Sequence, residues 1–171
     1  KGIFLDKGAV LQSKLEDGSK NHTSLVSEHG DIRLGENSVV QGQTAYIRTG
    51  DESGVGGGSI ELGDNSQVSA RDNVSMNVTG DVVLDGQFLS TSLHETEIRS
   101  SEGNVVLKDE SELISYGDVY LDAAGSIDIG SDSFIFAGND RDASNRVGKK
   151  DVSFTAGQDV TIGKGTVVLT Q

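Results

Sequence analysis

The chain has 171 residues, with 23 Gly, no Pro, no Cys, no Trp and 5% aromatic residues, and a formal net charge of −13. That charge sets it against nucleic acid and anionic membranes, since no Lys/Arg run offers a local exception. No apolar run reaches the ~18 residues of a transmembrane helix, zero Cys excludes a disulfide framework, and Lys1 with no signal peptide reads as the start of a mature chain or an excised piece.

Along the chain one block recurs: Gly, a short polar residue, Val or Ile, any residue, then Leu or Ile. The opening Gly2-Ile3-Phe4-Leu5 followed by Ala9-Val10-Leu11 fits it, and Gly30-Asp31-Ile32-Arg33-Leu34 states it in full. It returns at Gly58-Ser59-Ile60-Glu61-Leu62, Gly80-Asp81-Val82-Val83-Leu84, Gly103-Asn104-Val105-Val106-Leu107 and Gly125-Ser126-Ile127-Asp128-Ile129. Gly157-Gln158-Asp159-Val160-Thr161-Ile162 closes the series with one extra residue. A second block follows, Ser or Thr and then an aliphatic two residues on: Ser38 with Val40, Ser66 with Val68, Ser111 with Leu113, Ser133 with Ile135, Thr166 with Val168. In the Gly80 unit Phe88 and Leu89 stand in for this step. A third block precedes the next Gly, as in Tyr46-Ile47-Arg48, Asn73-Val74-Ser75-Met76, Glu97-Ile98-Arg99, Asp118-Val119-Tyr120-Leu121 and Asp151-Val152-Ser153-Phe154.

Each block alternates apolar and polar residues at period two, the pattern of a strand with one buried face. Three strands per unit of ~22 residues form one coil of a solenoid, and a single coil must stack on others to bury its apolar side. The expected fold is all-β: a right-handed parallel β-helix, a three-sided solenoid of about seven coils. The coils are 2–29, 30–57, 58–79, 80–102, 103–124, 125–156 and 157–171, one domain over the whole chain. The repeated Gly is expected at a corner, supplying backbone angles other residues avoid, and the absence of Pro suits strands paired on both sides. The residue after it, Asp31, Ser59, Asp81, Asn104, Ser126, is expected to form a column in which charged and neutral members alternate, sparing like-charge repulsion.

Gly-Asp-Ile/Val-x-Leu with a trailing Ser-x-Val-x-Ala, closest at residues 58–70 and 125–137, resembles the repeats of filamentous-haemagglutinin-like adhesins of two-partner secretion. The resemblance spans nearly the whole chain and implies the β-helical shaft of a secreted bacterial surface protein. It does not extend to that family's secretion domain, which carries Asn-Pro motifs, because this chain has no Pro.

Three stretches interrupt the coil length: Ser13–His22, Gly50–Gly57 and Gly138–Lys150. Loops are where a solenoid carries function, and the third, with Asn139, Asp140, Arg141, Asp142, Asn145 and Arg146, is the most distinctive. Asp140, Asp142 and Asn145 offer oxygens of the kind Ca²⁺ takes, but EF-hand spacing is absent and the two Arg offset the charge, so no metal or cofactor is assigned. Beside this loop Phe134 and Phe136 are expected to point outward, in register with Ile114 and Leu169, either as a ligand contact or as a surface the loop covers.

A polysaccharide-degrading β-helical enzyme is the weakest alternative. Its two carboxylates would be Asp140 and Asp142, without a Trp platform. His22, His29 and His94 belong to separate coils. The expected function is a non-catalytic shaft at the cell surface or outside the cell, meeting a host receptor, a surface glycan or neighbouring copies of itself. The runner-up is a subunit that stacks end to end into an extracellular filament, since the repeats reach both ends without a polar cap.

Overall fold

A computed structural model describes residues 2–13, 21–53, 55–90, 95–138 and 150–171, the side chains of 87–90 excepted. The chain winds in coils, each laying one strand on each of three faces. The first coil has β1 (Ile3–Leu5), β2 (Val10–Gln12) and β3 (His22–Ser27), and the second β4 (Ile32–Leu34), β5 (Val39–Gly42) and β6 (Thr44–Thr49). In the third, β7 (Ile60–Ala70) runs across the first two faces before β8 (Val74–Val78), and β9 (Val82–Ser90) does the same before β10 (Thr96–Ser100). The fifth coil has β11 (Val105–Leu107), β12 (Glu112–Ser115) and β13 (Val119–Ala123), the sixth β14 (Ile127–Ile129), β15 (Phe134–Ala137) and β16 (Val152–Ala156). β17 (Val160–Ile162) and β18 (Val167–Thr170) begin a seventh.

All pairings are parallel, and the first face runs β1-β4-β7-β9-β11-β14-β17. Because β7 and β9 cross the corner, the first two faces join as one 12-stranded sheet, while the third is a separate 6-stranded one. Along the first face register is kept coil to coil, so Ile32, Ile60, Val82, Val105 and Ile127 stack in one column and Leu34, Leu62, Leu84, Leu107 and Ile129 in another, all buried; the β7–β9 pairing shifts register only at the corner between Leu62 and Ser66. On the third face Ile47, Met76, Ile98 and Leu121 close the core. The period-two expectation holds through the middle coils, where β4, β6, β8, β12 and β14 each alternate buried with more exposed positions, while β17 at the last coil is exposed throughout. In the Gly80 unit Gly86 pairs with Ser66 and Phe88 with Val68, so Phe88 stands in the aliphatic column and Gly86 in place of the hydroxyl.

The repeated Gly has a different cause from the one expected. None of Gly58, Gly80, Gly103, Gly125 and Gly157 lies in the left-handed region. They are Gly because a coil already laid down occupies the space a Cβ needs: at Gly80 it would sit 2.6 Å from Ser59 Oγ, and at Gly103 2.6 Å from Asp81 Oδ1. The left-handed residues belong to the next corner, where Asn37, Asn65, Glu110 and Asp132 have φ of 58°, 53°, 62° and 55°. Asn and Asp tolerate this region better than most side chains, and each precedes the buried Ser of the second block.

Those buried hydroxyls bind the coils together. Ser66 Oγ donates to Gly35 O at 3.0 Å, Ser111 Oγ to Leu84 O at 3.2 Å, Ser133 Oγ to Lys108 O at 3.1 Å and Thr166 Oγ1 to Gly130 O at 2.7 Å, each reaching the coil before. A carbonyl buried at a corner without such a donor would carry a desolvation cost. The column after the corner Gly is built on the same logic. Asp31 Oδ1 accepts from Ser59 N, Ser59 Oγ from Asp81 N, Asp81 Oδ1 from Asn104 N and Asn104 Oδ1 from Ser126 N, at 2.8–3.0 Å. Charge alternation suits the stack, but the shared requirement is an oxygen that reaches the next coil's amide.

Candidate functional site

The outward apolar patch on the second face forms as expected. Phe134 and Phe136 are two apart on β15, and their rings stack at a centroid separation of 6.4 Å and an interplanar angle of 6°. Tyr116 meets Phe136 edge-on at 6.4 Å and 83°. Glu112 and Val167 flank Phe134 in register, while Ile114 and Leu169 flank Phe136, so the patch spans three coils. Both Phe are half-buried, and Gly138 lies so close to the Phe136 ring that a Cβ there would strike it. Asn139, Asp140, Arg141, Asp142, Asn145 and Arg146, and His94, lie outside the described residues. Among the described residues no group of three or more His, Cys, Asp or Glu is placed to hold a metal ion. His22 sits on β3 and His29 in the turn after it. Tyr120, outward on the third face, has its phenol pushed up by the charge of Asp118, by partial burial, and by Glu95 and Asp151.

A second site lies on that third face, where sequence reasoning marked only the Gly50–Gly57 interruption. There Tyr46 and Arg48 point outward from β6 and pair in register with Ser75 and Asn77 of β8, which pair in turn with Glu97 and Arg99 of β10. A cleft of about 280 Å³ opens between this surface and the loop, lined by Tyr46, Arg48, Asp51, Glu52, Asn77 and Arg99 among others. Asp51 shapes the loop: its Oδ1 accepts from Ser53 N at 2.8 Å and Val55 N at 3.0 Å. The hydrogen bonds from Val55 and Ser53 hold its carboxyl below the usual Asp range. Arg99 is paired with Glu97 at 3.0 Å and Asp122 at 3.2 Å. Arg48 differs, since its Nε is buried with no hydrogen-bond partner. The residues of this cleft come from three coils, so no short motif announces them; only the loop length does.

The fold and these surfaces define a three-sided parallel β-solenoid. No protein-family model, curated protein or solved structure matches the chain.

Proposed function

We propose that the chain is a non-catalytic shaft segment of a secreted bacterial surface adhesin, holding other parts of a larger molecule away from the cell and touching a host receptor or surface glycan along its side. The observation that supports this most is the unbroken register of the core columns from the first coil to the last. A stack tied at every step by backbone ladders, and at most steps by corner hydroxyls, resists bending, as a spacer requires. The repeat's resemblance to filamentous-haemagglutinin-like shafts points the same way. Contact along the side is proposed at the stacked Phe134 and Phe136 with the neighbouring residues 139–146.

Antibodies raised against the chain test the placement: they are expected to label intact cells of the source organism, and staining only after permeabilisation would overturn it. Electron microscopy with light scattering tests the mechanical role, with dispersed short rods of monomer mass expected. Long uniform filaments would favour the self-stacking subunit instead. Turnover of a polysaccharide that disappears on changing Asp140 and Asp142 to Asn would replace the shaft with an enzyme.

A further inference from the structure

We propose that the third-face cleft under the 50–57 loop binds a single hexuronate unit, with the Arg48 guanidinium pairing its carboxylate, Asn77 meeting hydroxyls and Tyr46 lying against the ring. This goes beyond the shaft reading and does not depend on it.

In a chain of net charge −13, acceptors for a guanidinium are plentiful. Arg33 takes Asp31 and Glu61, and Arg99 takes Glu97 and Asp122. Arg48 lies beside Asp51 closely enough to stabilise its charge, yet Asp51 Oδ1 is spent on the loop's own amides. The Nε hydrogen of Arg48 is left buried without an acceptor. A buried donor with no partner is costly, and Arg48 also lines the cleft, where a guanidinium offers a carboxylate a planar pair of donors.

The surroundings narrow the class of acid. The cleft's volume of about 280 Å³ is at the small end for ligand sites, suited to one sugar rather than a chain of them. Asn77 uses its Nδ2 on Ser75 Oγ at 3.2 Å and keeps Oδ1 as an acceptor for a hydroxyl. Tyr46, which lines the cleft, offers an apolar ring face with a polar tip. A polysulfated or polyphosphate ligand is disfavoured, since Asp51 and the exposed Glu52 line the same cleft and the whole surface is acidic. One carboxylate carried by several hydroxyls suits this balance.

The experiment titrates D-glucuronate into the whole ¹⁵N-labelled chain, with D-glucose and acetate as parallel probes. Saturable shifts confined to amides around Arg48, Ser53 and Asn77 are expected for glucuronate, with glucose and acetate at least ten-fold weaker. Arg48→Ala is expected to weaken glucuronate about ten-fold or more, and Arg48→Lys to fall between, since it keeps the charge and loses the planar fork. Glu52→Gln removes a like charge and is expected to tighten binding two- to three-fold. Circular dichroism that matches the parent confirms each variant is folded, as outward positions on β6 should allow. No saturable binding, equal binding of glucose or acetate, or an Arg48→Ala affinity equal to the parent's in a folded protein would each overturn the proposal.

Discussion

At the scale of single residues, this solenoid is governed by what the coil beneath leaves open. Gly103 has Asp81 Oδ1 2.6 Å and Asp81 N 2.7 Å from where a Cβ would stand. Gly103→Ala is therefore expected to cost about 2–3 kcal/mol by overpacking, read as a lower urea midpoint. The same column predicts a contrast at Asp81, whose Oδ1 accepts both Asn104 N at 2.8 Å and Asn104 Nδ2 at 3.1 Å. Asp81→Ala strips that acceptor and is expected to cost about 1–2 kcal/mol, while Asp81→Asn keeps an oxygen there and should stay within about 0.5 kcal/mol. An equal loss in both would mean that charge, not hydrogen bonding, holds the column. Asp51 carries a pH signature. Its folded pKa is lowered by the Val55 and Ser53 amides, so its contribution is complete above the unfolded pKa and lost as pH falls through the folded one. The Ser53 and Val55 amide shifts are expected to hold through mildly acidic conditions and move only below the ordinary Asp range. Movement at the ordinary Asp value would show that these bonds are not formed.

At the scale of the strand, the period-two pattern was readable because each strand buries one side only. The three-block unit marks its faces, and the hydroxyl of the second block turned out to be the corner donor. Less was readable at the corners. Gly was expected there for its backbone freedom, whereas crowding from the preceding coil excludes a Cβ, a contact between residues some two dozen positions apart that no local pattern shows. β7 and β9 continuing through a corner were also hidden, because Gly63-Asp64-Asn65 reads as a turn even though it runs on as strand. The Arg48 cleft draws on three coils and was signalled only by an overlong loop, while the Phe134 and Phe136 pair was visible as an outward break in the pattern. Packing at this scale is tested at Ile98, fully buried between Met76 and Leu121. Ile98→Ala is expected to cost about 2–5 kcal/mol, and a loss below 1 kcal/mol would mean that the neighbouring coils close over the gap.

For the molecule as a whole, charge works against compactness. The surface ion pairs, such as Lys7 with Glu36 at 2.7 Å and Lys108 with Asp85 at 2.9 Å, are solvent-exposed and each contributes little. What remains is the self-repulsion of a net charge of −13 along a narrow rod. Raising ionic strength from about 0.01 to 0.15 M shortens the screening length from about 30 to 8 Å. The urea midpoint is expected to rise over that range, and a fall would mean that attractive pairs outweigh the repulsion. The constant register has a further consequence, for heredity. Each coil presents on its upper rim the same pattern of amides, carbonyls and side-chain oxygens that it receives on its lower one. An in-frame duplication or loss of one whole repeat therefore joins a rim to a matching rim, while one codon more or fewer inside a strand turns inward residues outward; a corner absorbs the extra residue, as where Gly157-Gln158-Asp159 still brings Val160 onto Ile127. Genes for such rods can lengthen and shorten by unequal recombination between repeats, changing reach in steps of one strand spacing and leaving the cross-section as it was.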